Sequence, residues 1–381
     1  MKTTELGNII NISKGKKVDQ IFPTNGLAKT SKRYIQIDDL RNDSYIKYTD
    51  SKGVEVNEND LIIAWDGANA GTIGHNLKGV IGSTLARLRI SDSNFDSKFL
   101  AKYLQSKFTY LRTRCTGATI PHISRSVLEK LKIPTFSLPE QKRIAELLDK
   151  ADSIRQKRKE SIALLDEFLR SVFLDMFGDP VRNEKGWEKK TLKSIVEDYD
   201  YGLSDKADED ASGIPMLRMN NITYGGRIDL TNLKYINKNK FNINKYLLNK
   251  DDFLFNRTNS PELVGKCSVW DSDEEYTYAG YLIRFKFSKS LATSLYVSHY
   301  FNSKYGKKYL FEKARPSNNM SNISASTLMG LNILVPPINL QTHFARIVEQ
   351  VEVTKAKMEE SLREMDRQFE GLMGRAFGNN K

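Results

Sequence analysis

The side chains of this 381-residue sequence best suited to hold a metal, or to pair as nucleophile and base, are four histidines and two cysteines. Their placement argues against both chemistries. His75, His122, His299 and His343 share no ligand spacing with one another or with Cys115 and Cys267, whereas a zinc site draws on closely spaced nitrogen and sulfur ligands. Neither cysteine has a CxxC neighbour, and no GxxxxGK[ST] run is present to cradle nucleotide phosphates. What remains is the chemistry of fixed positive charge. Lys and Arg number 59 against 47 Asp and Glu, a formal net charge of +12, and such a surplus points to a polyanionic partner, nucleic acid first among them. The competing reading is a basic surface with no such role.

The elements that would position these groups occur twice. Residues 1 to about 136 carry short β-like runs, among them Tyr34-Ile35-Gln36-Ile37, Leu61 to Trp65 and Leu85 to Ile90, bounded by Asn, Asp, Gly and Ser. A helix is predicted from Lys98 to about Thr113. Pro139 then suits the first turn of a long helix that ends at Phe177, with Gly178 and Pro180 as stop signals. From Trp187 the pattern restarts: Met216 to Asn221 echoes Tyr34 to Asp39, Lys250 to Arg257 echoes Glu58 to Trp65, and Asn322-Ile323-Ser324 echoes His122-Ile123-Ser124. The apolar positions Gln141, Ile144, Leu148, Ala151, Ile162, Leu165, Leu169 and Val172 return 200 residues later as Gln341, Phe344, Val348, Val351, Leu362, Met365, Phe369 and Leu372. Alternating steps of four and three make a seven-residue period, the signature of a coiled-coil seam. A stripe of that kind needs a partner stripe, and its own duplicate is the nearest candidate. Two copies of a domain-plus-helix unit predict a pseudo-twofold chain.

Arg155 and Arg158 interrupt the first seam and Lys355 the second, where basic side chains would either reach toward solvent or face DNA. The many acidic residues of both helices are expected on solvent faces. Val335-Pro336-Pro337-Ile338 is superficially like the catalytic loop of amino-methyltransferases. It lacks the Asn or Asp that would precede the prolines, no glycine-rich methyl-donor site accompanies it, and a domain closure is the better reading. With no catalytic constellation, the chain is not expected to be an enzyme by itself. Two distant cysteines suit a reducing compartment. No apolar run suits a signal peptide or a membrane span, so the expected location is cytoplasmic, with no membrane partner.

The segment Ile133-Pro134-Thr135-Phe136-Ser137-Leu138-Pro139-Glu140-Gln141-Lys142-Arg143-Ile144-Ala145, the long heptad helix ending Met176-Phe177-Gly178, and the duplication of both together resemble the specificity subunit of type I restriction-modification systems. The second copy is degenerate, with Asn339 and Leu340 in place of the Pro-Glu pair. The resemblance implies an α+β fold: two pseudo-symmetric β-rich target recognition domains separated by two long helices forming an antiparallel coiled coil. Residues 1–136 and 179–336 would be the recognition domains, 137–178 and 337–378 the helical spacers. Each domain would read one half of a bipartite, asymmetric target in double-stranded DNA, and the helices would set the gap and dock two methyltransferase subunits. Restriction/translocase subunits would join the full complex. S-adenosylmethionine, ATP and Mg would belong to those partners and no cofactor to this chain. Alternatives are a specificity subunit for an adenine methyltransferase without nuclease, and a coiled-coil protein-interaction adaptor.

Under that resemblance, loops after the strands carry the DNA contacts, with Arg, Asn, Gln, Ser and Thr reaching base edges. In the second domain these are Arg218, Asn220, Asn221, Arg257, Thr258, Asn259 and Ser260, then Ser317, Asn318 and Asn319. In the first they are Gln36, Asp38, Asp39, Trp65, Asp66, Asn69, Thr119 and His122. Trp65 stands where the second copy has Arg257. Lys14, Lys16, Lys17, Lys32, Arg33, Arg112, Arg114 and Arg125 would meet phosphates.

Overall fold

The computed structural model describes residues 2–23, 31–117, 119–205, 207–238, 243–317 and 319–378. Eight helices lie among them: α1 (Ser97–Ser106), α2 (Phe108–Thr113), α3 (Arg125–Glu129), α4 (Leu138–Phe177), α5 (Ser294–Asn302), α6 (Lys304–Lys313), α7 (Ala325–Met329) and α8 (Ile338–Phe377). The single helix expected from Lys98 to Thr113 is broken at Lys107, which closes α1 and opens α2. The chain divides into two compact units. One contains residues 1–160 and 360–381, the other residues 161–359, so each long helix gives one half to each unit.

In the first unit, Ile10–Lys14, Leu85–Ile90, Leu61–Ala64 and Ile73–Gly74 form a four-stranded sheet in that order. A five-stranded sheet of Phe22–Pro23, Lys47–Thr49, Lys32–Ile35, Gly79–Ile81 and Val54–Val56 accompanies it. In the second unit the matching four-stranded sheet is Val196–Tyr201, Leu282–Phe287, Phe253–Asn256 and Cys267–Val269. Leu61–Ala64 and Phe253–Asn256 are buried along their whole length, which is why Leu61–Ala64 and Phe253 to Phe255 read as unbroken apolar runs rather than alternating ones. Short antiparallel pairs tie each domain's start to its end: Thr3–Glu5 with Lys132–Pro134, and Glu188–Thr191 with Asn332–Val335.

The glutamine common to both copies explains how each long helix is seated. Gln141 is fully buried; its Oε1 accepts the Asp96 amide (2.9 Å), and its Nε2 donates to the carbonyls of Asn94 (2.8 Å) and Phe136 (2.9 Å). Gln341 repeats this with the Thr293 amide and the carbonyls of Leu291 and Pro336. One amide thus satisfies three buried backbone groups that would otherwise be stranded at a helix start. Both helices end alike, at Gly178 (φ +76°) and Gly378 (φ +75°), whose amides close on the carbonyls of Leu174 and Gly374.

Inside each unit the helix halves pack antiparallel, as the duplicated seam predicts. Ile144 and Leu148 share the first unit's core with Phe369, Leu372 and Phe377. Leu169, Phe173 and Phe177 share the second unit's core with Phe344, Val348 and Val351. Two of the three seam cations, Arg155 and Lys355, do not behave as expected. Arg155 neither reaches for solvent nor stands free for DNA: its Nη2 lies 2.6 Å from Asp366, and its guanidinium is 4.3 Å from the Phe369 ring. Lys355, 2% exposed, pairs with Asp166. A shift of 200 residues carries Arg155 onto Lys355 and Asp366 onto Asp166, so the two bridges are one interaction made twice. Nor do all the acids face solvent alone. Arg227 donates to Asp166 (2.9 Å) and lies near Glu352 (3.7 Å) and Glu359 (3.6 Å). Burial pushes the Glu352 carboxyl above the ordinary range, partly offset by Arg227. Paired seam charges of this type favour one alignment of two helices, most of all at Lys355, which is buried and would be costly to leave unmatched.

Candidate nucleic-acid interface

In the first unit the site grows from the end of the buried strand Leu61–Ala64. The Trp65 amide donates to the Thr84 carbonyl (2.8 Å), and its own carbonyl accepts the Ile123 amide (2.9 Å). This leaves Trp65 half-buried against the core and places Asp66 opposite His122 in an antiparallel bridge. Asp66 is held from both sides: Lys14 Nζ is 2.8 Å from Oδ2, and His122 Nδ1 is 2.6 Å from Oδ1. Burial works to raise the Asp66 carboxyl, but the hydrogen bonds from Lys14 and His122 outweigh it and keep the group below the ordinary carboxylate range. An ionised Asp66 therefore fixes two exposed groups, an ammonium and an imidazole edge, on one edge of the domain.

The second unit builds the same corner with other groups. The Arg257 amide donates to the Tyr281 carbonyl (3.0 Å), and its carbonyl accepts the Ile323 amide (2.8 Å). Its guanidinium lies 5.1 Å from the Tyr201 ring centre, and its Nε is buried without a hydrogen-bond partner among the described residues. Thr258 and Asn259 pair with Asn322 and Ser321, and Arg315–Ser317 adds a third strand, so the loop around Arg257 and the late loop are brought together. Tyr201 is anchored by the Ala325 amide, which donates to its hydroxyl (3.2 Å).

Other expected base contacts hold the fold instead. Asp39 is buried; its carboxylate accepts the Gln36 amide (2.7 Å) and the Arg33 guanidinium (2.8 Å). Asn221 is its counterpart, 2% exposed: Oδ1 accepts the Arg218 amide, and Nδ2 donates to the carbonyls of Asp229 and Asn232. Asn259 is buried, and its Oδ1 accepts the Ser260 amide. In Asp39 and Asn221 the turn consumes the side chain's bonding capacity, whereas in Asn259 it engages Oδ1. Of the expected phosphate contacts, Arg33 is held by Asp39 and Asp43, Lys32 by Glu55 and Arg125 by Glu129. Arg112 donates to the Ala68 carbonyl, and Arg114 lies over Tyr110 at 3.8 Å.

Gln36 accepts from Lys47 (2.7 Å), Asn69 from Arg41 (2.7 Å), and Arg218 donates to the Asn232 carbonyl (3.0 Å). Asp38, Thr119, Asn220, Asn319, Lys16 and Lys17 are exposed, and Ser260 is half-buried. The two lysines make no ion pair among the described residues. Asn318 and the side chain of Ser317 lie outside the described residues. Tyr201, Tyr281, Arg315 and Asn322 stand at this edge without having been singled out by the sequence. The repeated triplet that sets Asn322 against His122 was the signal available for one of them. Among the described residues no cluster of three or more His, Cys, Asp or Glu could hold a metal ion, and no helix is long and apolar enough to cross a membrane.

Comparison with known proteins places this arrangement. The sequence model of the family described as "Type I restriction modification DNA specificity domain" matches residues 1–164 and again residues 184–364. The chain is similar to the type I restriction enzyme MjaVIII specificity subunit of Methanocaldococcus jannaschii, 25% identical over 377 residues, covering 92% of this chain and 86% of the relative. It is also similar to the StySPI specificity subunit of Salmonella potsdam, 23% identical over 348 residues, covering 85% and 75%. Among solved structures, the S subunit of a type I restriction-modification system from M. genitalium superposes with a TM-score of 0.60 at 17% identity, covering 100% of this chain and 96% of that one. At that identity the likeness establishes the fold.

Proposed function

The chain belongs to the type I restriction modification DNA specificity family, and from that premise we propose that it is the sequence-reading, non-catalytic subunit of such a system, each unit recognising one half of a split DNA target. The observation that carries the reading is the double match: two copies of a DNA specificity domain in one chain, each ending its buried strand at a corner of donors and acceptors. The asymmetry of the target follows from the chemistry of those corners, Lys14–Asp66–His122 in one and Arg257 beside Tyr201 in the other. Base edges in the major groove are told apart by such donor and acceptor patterns. The surplus of 12 positive charges supplies the sequence-independent attraction.

Methyl transfer and any cleavage belong to partner subunits in this reading, and with them S-adenosylmethionine, ATP and Mg. Two methyltransferase subunits dock along the helices and neighbouring surfaces. Exposed apolar side chains support such docking: Leu147 and Ile154 in the first unit, and Leu164 and Phe168 in the second. Translocating nuclease subunits complete the restriction complex.

The test is reconstitution. The purified chain should neither methylate nor cut DNA, and addition of its methyltransferase partner should produce adenine methylation at a split motif, read by methylation-aware sequencing. DNA affinity should fall steeply with salt. Methyl transfer by the lone chain, or salt-insensitive binding with no sequence preference, would overturn the reading, the latter in favour of a protein-binding adaptor.

A further inference from the structure

The two corners share one pattern of backbone hydrogen bonds and strand pairing, and this gives the chain an internal alignment. Gly15 donates to the Leu85 carbonyl as Gly202 does to that of Leu282. Lys14 lies opposite Ala86, and Tyr201 opposite Ile283. Leu85 faces Ala64 as Leu282 faces Asn256. The Ile123 amide meets the Trp65 carbonyl as the Ile323 amide meets that of Arg257. Asp66 bridges His122, and Thr258 pairs with Asn322. Four positions are thereby equated without ambiguity: Lys14 with Tyr201, Trp65 with Arg257, Asp66 with Thr258, and His122 with Asn322.

Five frame positions around these four hold the same residue in both copies, Gly15 and Gly202, Gly71 and Gly265, Leu85 and Leu282, Ile123 and Ile323, Ser124 and Ser324, while the buried strand positions Ala64 and Asn256, and Ala86 and Ile283, differ. A Cβ on Gly15 or Gly202 would run into a facing backbone carbonyl, so the frame admits little else there. At the four positions themselves every pair differs in side-chain type. Lys14 presents an ammonium and His122 an imidazole edge, both oriented by Asp66. Arg257 presents a planar fork laid beside the Tyr201 ring, with no ion pair or hydrogen bond to its guanidinium among the described residues. The ring flanks the guanidinium, and its Nη donors have no partner among the described residues, an arrangement that suits a bidentate acceptor such as the O6/N7 edge of guanine.

We propose that these four positions form the interchangeable reading head of each unit. Lys14, Trp65, Asp66 and His122 would set one half-site, and Tyr201, Arg257, Thr258 and Asn322 the other, with Arg257 on a guanine and Tyr201 as its positioning residue. The inference rests on the proposed function and adds the residues that give each half its identity.

The test uses the full chain reconstituted with its methyltransferase partner, the modified motif being determined by sequencing. Arg257→Lys keeps the charge and loses the fork. Tyr201→Leu keeps the apolar bulk and loses the ring and its hydroxyl. Each should relax one guanine in one half-site by about tenfold or more, leaving the other half-site and the gap untouched, so the unaltered half reports that the chain is folded. His122→Gln should alter only the other half. If Arg257→Lys leaves the motif intact, or weakens all sequences equally, the reading-head assignment is overturned while the specificity function stands. If the unmodified complex methylates no split motif, the function itself is overturned.

Discussion

Lengthening both long helices by one heptad tests whether they set the gap between half-sites, and the structure dictates where the residues must go. The bridges Arg155–Asp366 and Lys355–Asp166 lie inside separate units. Seven residues inserted after Ser161 fall between Arg155 and Asp166 on α4, and seven after Ser361 fall between Lys355 and Asp366 on α8. The paired insertion leaves each bridge, and each unit's apolar packing, with its original partners. Seven residues add about 10 Å at 1.5 Å per residue and keep the seam in phase to within about 20°. At about 3.4 Å per base pair, the unspecified gap should lengthen by about three pairs if the helices follow the duplex axis. Those pairs also turn the second half-site by about a third of a helical turn, so reduced activity is expected. The assay is the modified motif of the reconstituted complex: both half-sites unchanged, the gap longer. Insertion into α4 alone breaks the match between the helices and should lower thermal stability without yielding a longer-gap enzyme. An active double insertion that retains the original gap would refute the ruler.

Three further outcomes concern the scaffold. His299 packs against Phe173 and Phe344, and burial pushes its imidazole down to about 4. The unfolded chain therefore takes up this proton first as pH falls below about 6.5, and stability present above that value should drop by roughly 2 kcal/mol at pH 5; denaturant titrations of the parent and of His299→Phe, which should lose this slope, check it. Asp60 and Asp252 cap equivalent turns but differ in charge balance. Burial opposes ionisation of Asp60, yet Arg89 at 2.7 and 2.8 Å outweighs it and holds the carboxyl low, whereas burial dominates and raises Asp252. Asp60→Asn should cost about 1–3 kcal/mol at pH 7, a loss that fades as pH falls through the Asp60 value, while Asp252→Asn should be within about 1 kcal/mol of neutral. Gln141→Leu strands three buried backbone groups and should cost about 3 kcal/mol or more, seen as faster hydrogen exchange at the start of α4; unchanged exchange would refute the seating role.

The helices were the most legible part of the chain because their information is local and periodic. A seven-residue spacing survives in any sequence that must keep one stripe buried, and Gly178 and Gly378 mark the ends by a backbone conformation few other residues adopt. The charges within that stripe were not legible. Arg155 meets an aspartate 211 residues away, and nothing near Arg155 in the sequence announces it. The duplication could have done so, because the same pair appears, shifted, as Lys355 and Asp166.

The reading of the site divides along a similar line. Residue type announced the turns correctly, since Asn and Asp favour them, but it could not say which side chain closes the turn and which is left outside. Asp38 is exposed and Asp39 buried; Asn220 is exposed and Asn221 spent on three backbone bonds. One step along the chain reverses the role, and only the folded register decides it. Tyr201 and Asn322 show the converse. Each lies in a short strand; Tyr201 contributes nothing recognisable as a motif, Asn322 is marked only by the repeated triplet, and each becomes a candidate because its strand brings it to the corner at Arg257 and Thr258. In a duplicated chain the informative comparison is therefore position against position within the frame: Arg155 and Lys355, or Asp39 and Asn221, differ in type yet keep one structural role, and it is difference at a half-buried or exposed corner without such a shared role that marks where two half-sites must be told apart.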